Sequence, residues 1–257
     1  MVPQGGLNFS PNPDLLASTD AYISMGQTAE NVAARYGVAR ADQDALALES
    51  HRKAAAAREG GRLRDEIVPI RAGDGPLIDA DGCIRPGTTL EALAALKPAF
   101  RPDGVVTAGT SSPLTDGAAA VLVTSDAFAA RHRLDPLARI RSFASIGVDP
   151  ALMGIGPIPA TRKALARAGL TVDDLGVVEI NEAFASQALA CIRELGLNPQ
   201  TVNLDGGAMA IGHPLGATGA RITGKAATLL QREGARYALA TQCIGGGQGI
   251  ATVLERV

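Results

Sequence analysis

The sequence predicts an α/β fold: a mixed sheet covered by helices, preceded by a mainly helical segment. Three observations carry this. From about residue 136, apolar strand-like runs alternate with amphipathic helical patterns in the order β-α-β-α-β-α-β-β. Before about residue 105 the periodicity is helical, with one Gly/Asp/Pro-rich interruption. Between them lies a short stretch that reads as the tail of another unit. The chain has 257 residues, 46% of them hydrophobic, ample for a sizeable core.

In the first stretch, 1–105, a Pro/Asn/Ser-rich lead-in gives way to a helix over 28–36. Gly37 supplies its left-handed stop. Asp42 is placed to open a second, alanine-rich helix that runs to Glu59 and ends at Gly60-Gly61. Residues 66–70 are strand-like. Residues 71–87 carry no clean alternation and predict an extended excursion or lid. In the second stretch, 106–135, residues 105–108 are a strand candidate. Residues 117–124 read as a buried strand of small and branched residues, and Ser125 caps a helix running to about Arg133. The third stretch, 136–257, supplies strands over 138–146, 177–180, 201–204, 237–241 and 249–254. Its helices cover 159–168, 182–195 and 217–233. This arrangement places Asn181, His213 and Cys243 just after strands, the address at which open α/β sheets build sites.

The composition excludes several classes. Lys and Arg number 24 against 26 Asp and Glu, for a net charge of -2, which is no electrostatic footprint for nucleic acid. No apolar run reaches membrane-spanning length. Residues 1–6 show no basic stretch followed by an apolar one, so no secretory signal is read there. Cys83, Cys191 and Cys243 form neither a metal-ligand pair nor a disulfide framework, and a reducing cytoplasm fits them.

The chemistry concentrates near the C-terminus. Cys243 follows an apolar run and precedes Gly245-Gly246-Gly247, so backbone N–H groups there can face a developing oxyanion. Its thiol suits a nucleophile or an acid/base group, and equally a buried structural cysteine. His213, between Gly212 and Pro214, sits on a rigid loop where an imidazole can move protons or donate a hydrogen bond; a loop histidine is also commonly inert. Asn181 and Glu182 match a helix cap, and the Asn181 amide suits holding a water as well. The Gly212, Gly216, Gly219 spacing matches neither a dinucleotide fingerprint nor a P-loop. His51 and His132 read as solvated helix residues, while Arg71 and Arg85 are available to an anionic ligand or simply exposed.

Taken together, the segments Met25-Gly26-Gln27-Thr28-Ala29-Glu30-Asn31, Leu96-Lys97-Pro98-Ala99-Phe100, Asp116-Gly117-Ala118-Ala119-Ala120, Gly154-Ile155-Gly156-Pro157, Asn181-Glu182-Ala183-Phe184, Gly206-Gly207 through Gly219, and Cys243-Ile244-Gly245-Gly246-Gly247 resemble a thiolase (acetyl-CoA acetyltransferase or 3-ketoacyl-CoA thiolase). The resemblance implies the C-terminal half of a layered αβαβα arrangement plus a coenzyme A-covering loop domain. It implies Cys243 as the acid/base cysteine, His213 as activator of a nucleophilic cysteine and oxyanion donor, Asn181 as holder of a water, and the Gly245 N–H in a second oxyanion hole. Met25, Arg85, Phe100, Ser112 and Phe184 match positions that contact coenzyme A or its acyl end. It further implies acyl-CoA as substrate with no permanently bound cofactor, a role in fatty-acid or related degradation, and dimers or tetramers. The Thr110-Ser111-Ser112 run and the C-terminal ending look more like the longer-chain degradative branch.

Two departures matter. Ser24 stands where short-chain members carry His. No residue matches the family's acyl-accepting nucleophilic cysteine, and Cys83 does not lie in that motif. The expectation is therefore a thiolase lacking most of its N-terminal half-domain and inactive alone, with a homo-oligomer or a complementing thiolase N-terminal half as its expected partners. A non-catalytic CoA-ester- or partner-binding module is the alternative. A Cys243-based hydrolase is disfavoured because no third orienting group is apparent.

Overall fold

The structure, a computed structural model, describes residues 11–257; the residues read for a secretory signal lie outside these. Among the described residues the helices are α1 (Pro13–Ser18), α2 (Met25–Tyr36), α3 (Arg40–Glu59), α4 (Leu90–Ala94), α5 (Asp126–His132), α6 (Pro157–Ala168), α7 (Ala185–Leu195), α8 (Ala208–Ile211) and α9 (Thr218–Glu233). The strands are β1 (Ile70–Arg71), β2 (Leu77–Ile78), β3 (Ala138–Gly147), β4 (Leu175–Ile180), β5 (Tyr237–Ile244) and β6 (Gln248–Arg256).

The sheet is mixed, as the alternation predicts. Its order is β3-β6-β5-β4, with β4 parallel to β5 and the remaining pairs antiparallel. A parallel pair needs a long crossover, which α7, α8 and α9 supply. Alternation of side chains along the strands splits the core into two layers. On one face Val178, Ile180, Leu239 and Val253 pack against Leu165 of α6 and Ile192 of α7. On the other, Val177, Ala238 and Ala240 pack against Ile222, Ala226 and Leu229 of α9. Burial of the Val, Leu and Ile side chains among these, about 1.5–3 kcal/mol each, fixes the register and with it the polar residues at the strand ends.

The N-terminal helices lie against this unit. Ser24 caps α2, accepting from the Gln27 N–H, and Gly37 closes it at φ 60°. Buried Glu30 accepts the N–H groups of Val105 and Val106 at 2.9–3.1 Å, holding the 104–106 segment to α2. Ser186 of α7 donates to the Ala29 carbonyl at 3.0 Å, joining α2 to the C-terminal unit.

Several expectations are corrected. The helix read from Asp42 begins at Arg40, with Ala39 at its cap and no side-chain cap bond. Residues 105–108 form only an isolated bridge, Pro98 to Thr107, followed by a 3-10 turn, because Glu30 takes the N–H groups a strand would use. The segment 66–70 likewise yields a 3-10 turn and the two-residue ribbon β1-β2 inside the excursion. Residues 117–124 are exposed and lie outside any sheet; Leu122 is 76% and Val123 66% exposed. Apolar composition cannot make a strand without a partner edge. Residues 201–204 make one parallel bridge, Val178 to Val202. Asn203 takes φ 46° there, which breaks the extended run. The helix read from Glu182 starts at Ala185, with Phe184 at its cap.

Candidate functional site

The end of β4 builds the site. Asn181 follows the strand and its N–H donates to the Thr241 carbonyl at 3.0 Å, continuing the ladder. Asn181 is thus not a helix cap. It is fully buried, and its amide Nδ2 lies 3.3 Å from His213 Nε2. His213 follows the short helix α8 rather than a strand, which corrects the address read for it from the sequence. Three further contacts seat it. Its backbone N–H donates to Thr115 Oγ1 at 3.1 Å, its Nδ1 lies 2.6 Å from Thr218 Oγ1, and that hydroxyl reaches the Pro214 carbonyl at 3.1 Å. Gly212 makes the loop possible. Its φ is 98°, and a Cβ there would come within 2.9 Å of the Thr115 hydroxyl.

Glu182 locks these pieces together. It reads in the sequence as a residue of a helix's first turn, yet it is 2% exposed and accepts from Ser50 of α3 at 2.7 Å, from Asn203 at 2.8 Å and from the Met209 N–H at 3.3 Å. Gly207 lies so close that a Cβ would overlap the carboxylate, and its N–H donates to Ser50 Oγ. One buried carboxylate therefore ties α3, α8 and the turn after β4. The three bonds offset a desolvation cost of several kcal/mol that an unpaired buried charge would carry. Burial nonetheless raises the Glu182 pKa, against the lowering effect of these bonds.

Cys243 lies within β5, paired with Gly249, not beyond the strand end. It packs with Ala29, Met153, Ala183 and Phe184, and Met25 borders the same cluster. The Phe184 ring meets Phe100 edge to face at 5.8 Å, and Gly26 lets the Phe100 ring lie directly on α2, since a Cβ there would overlap it. The Ser112 N–H donates to the Ala183 carbonyl at 3.0 Å. Gly245 opens the β5-β6 turn, where Gly246 and Gly247 take φ 81° and 89°. The Met25 sulfur lies 3.6 Å from the position a Gly245 Cβ would occupy. Met25, Phe100, Ser112, Phe184, Cys243 and Gly245 thus share one neighbourhood. Arg85 stands in another: its side chain is exposed, its N–H donates to His51 Nδ1 at 3.2 Å, and its neighbour Ile84 packs with Leu63 and Ala210. His51 itself is 7% exposed, which corrects its reading as a solvated residue.

Asn181 and Cys243 leave the sheet on opposite faces, because residues 181 and 242 are in step across the β4-β5 register. Both clusters meet at the turn from Asn181 to Phe184. Burial, with a smaller effect of Arg221, lowers the His213 pKa to about 4, so its imidazole is neutral at pH 7. Burial pushes the Cys243 thiol up to about 12, only partly opposed by a backbone hydrogen bond. At pH 7 His213 is accordingly a neutral base able to accept a proton and Cys243 a protonated thiol able to supply one. Two surface hollows lie elsewhere, one lined by Leu175, Gly196 and Leu197, the other by Ile140, Phe143 and Arg167. Among the described residues no three His, Cys, Asp or Glu side chains are grouped to hold a metal, and no helix is long and apolar enough to cross a membrane.

Comparison with known proteins bears on this geometry. The family models described as "Thiolase, N-terminal domain" and "Thiolase, C-terminal domain" match residues 11–127 and 134–256. A 3-ketoacyl-CoA thiolase of Escherichia coli is 54% identical, the alignment covering 98% of this chain and 67% of that protein. The chain belongs to the thiolase family. An acetyl-CoA acetyltransferase of Paracoccus denitrificans is 55% identical over 90% of this chain and 60% of its own length. The crystal structure of the Bacillus anthracis acetyl-CoA acetyltransferase superposes with a TM-score of 0.89 at 45% identity, covering 91% of this chain and 60% of that one. This thiolase chain therefore spans about 60–67% of the length of these relatives.

Sequence reasoning missed Glu179, Thr218, Thr115 and the clamping role of Glu182. One signal was present: Glu179 is a lone charge inside the apolar run Val177-Val178-Glu179-Ile180, which buries a carboxylate wherever both faces of the strand are covered.

Proposed function

We propose that these residues form the coenzyme A-covering and acid/base portions of a thiolase-type acyltransferase, interconverting acyl-CoA plus acetyl-CoA with 3-ketoacyl-CoA plus CoA. The division read from the sequence is retained: 1–105 as the loop domain, 106–135 as the tail of an N-terminal half and 136–257 as the C-terminal half. The observation that carries the reading is the hydrogen-bonded Asn181–His213 pair sharing one turn with the Cys243–Phe184 cluster. In this scheme the neutral His213 accepts a proton from a nucleophilic thiol, and Cys243 moves the proton at the acetyl carbon. Asn181 and the Gly245 N–H face the two developing oxyanions. Phe100, Phe184, Met25 and Ser112 line the path of the pantetheine and acyl chain, with Arg85 reserved for the phosphates.

The chain contains no cysteine matching the family's nucleophile, and acyl transfer requires one. These 257 residues alone are therefore expected to cleave 3-ketoacyl-CoA no faster than their His213→Ala variant. Co-expression with a thiolase N-terminal half-domain carrying that cysteine is expected to give turnover that His213→Ala and Cys243→Ala each abolish. Turnover by the chain alone would overturn the dependence on a second half. Calorimetric binding of coenzyme A without turnover in either setting would favour a binding module instead. A cytoplasmic homo-oligomer serving fatty-acid breakdown accords with the family resemblance.

A further inference from the structure

Beneath α9 lies a polar layer that the scheme above does not use. Glu179 on β4 and Asn181 just past its end are two residues apart in extended chain and so share the face toward α9. Gln242 is in step on β5, with its amide 3.5 Å from where a Gly219 Cβ would stand. Among the described residues, Glu179 Oε1, Asn181 Oδ1, Gln242 Oε1 and Arg221 Nε are buried without a hydrogen-bond partner. Three of these atoms accept and one donates. Glu179 and Asn181 are 1% and 0% exposed, depths at which polar groups are ordinarily paired.

His213 sits on the other end of the Asn181 amide, and its ring admits two self-consistent hydrogen-bond patterns. In the first, Nδ1–H donates to Thr218 Oγ1, the Asn181 amide donates to Nε2, and Thr218 keeps its bond to the Pro214 carbonyl. Asn181 Oδ1 then faces the layer and needs a donor there. In the second, the Thr218 hydroxyl donates to Nδ1, Nε2–H donates to Asn181 Oδ1, and the amide NH2 turns to the acceptors of the layer. What the layer offers Asn181, donor or acceptor, therefore decides which ring nitrogen carries the proton.

We infer that Glu179 is a positioning residue that selects the ring tautomer of His213 through the Asn181 amide. Burial raises its pKa to about 8, opposed by Arg221 and Lys225 of α9 and reinforced by Glu182 and Asp205. At pH 7 Glu179 is chiefly a neutral acid whose O–H is the donor the first pattern requires, relayed to Asn181 through a bridging water. As pH rises through about 8 its proton passes to solvent, the carboxylate only accepts, and the second pattern takes over. The ring proton relocates from Nδ1 to Nε2 by exchange with solvent, and the net protonation of His213 does not change.

The inference rests on His213 and Asn181 being site residues, but its test reads only the ring proton and does not depend on turnover. The chain is labelled with 15N-histidine. His213 is assigned among the three histidines by the resonance lost in His213→Asn, and ring 15N shifts are followed from pH 6.5 to 9.5, where His213 stays neutral. The expected result is Nδ1–H at the low end and a roughly tenfold move of the tautomer ratio toward Nε2–H at the high end, comparable to one hydrogen bond. Glu179→Gln, whose amide still donates, is expected to hold Nδ1–H throughout. A constant tautomer in the unmodified chain overturns the inference, and this series decides even if the variant does not fold. A Glu179→Gln chain that repeats the unmodified shift also overturns it, assigning the effect to another group.

Discussion

At the scale of single residues, the site depends on small hydroxyl and glycine contacts around a desolvated imidazole. Thr218 is the nearest partner of His213 and also reaches the Pro214 carbonyl, so one oxygen fixes both ring and loop. Thr218→Val removes it while preserving volume. It leaves a half-buried ring nitrogen unpaired, which costs about 1–3 kcal/mol. We expect the unfolding free energy from urea titration to fall by that amount, read as a lower midpoint at unchanged slope, and Thr218→Ser to recover most of the loss. Equal stability of the Val and Thr forms would mean that the hydroxyl does not seat the ring.

At the scale of elements, glycine-to-glycine contact sets where β6 begins. A Cβ on Gly249 would overlap the Gly156 carbonyl carbon, and one on Gly156 would overlap the Gln248 carbonyl oxygen. The start of α6 is thus pressed onto the strand that pairs Gly249 with Cys243. Gly249→Ala must push these backbones apart, and overpacking of this kind costs about 1–3 kcal/mol or more. Gly245→Ala, whose Cβ meets only Met25 at 3.6 Å, is expected to change stability by no more than about 0.5 kcal/mol. Thermal unfolding of the two variants side by side checks the contrast. Similar melting temperatures would contradict it.

At the scale of the whole molecule, the described surface keeps large apolar areas open. Leu122 and Val123 of the unpaired 117–124 segment and Phe143 on the edge strand β3 are all more than half exposed. Exposed apolar faces and free strand edges drive association. In sedimentation velocity the chain alone is expected to form concentration-dependent oligomers, and Leu122→Lys with Phe143→Lys to shift the distribution toward monomer. A monomer at every concentration would show that these faces are not adhesive. The 117–124 segment also marks a limit of sequence reading: its small and branched residues spell a strand, but a strand exists only where an edge pairs with it.

The sequence by itself determined the alternation that builds a mixed, helix-covered sheet, and it marked Asn181, His213 and Cys243 as candidate site residues. Apolar periodicity encodes these through local geometry, and the glycine-framed loops are visible as composition. Only the tertiary structure decided that Asn181 faces His213 rather than capping α7, that Glu182 ties three segments, that Arg85 stands apart from the Phe100–Phe184 contact, and that Glu179 lies buried beneath α9. Hydrogen-bond partners 21 to 132 residues apart in the chain leave no periodic trace. A carboxylate's role depends on whether water or protein surrounds it, and packing alone settles that.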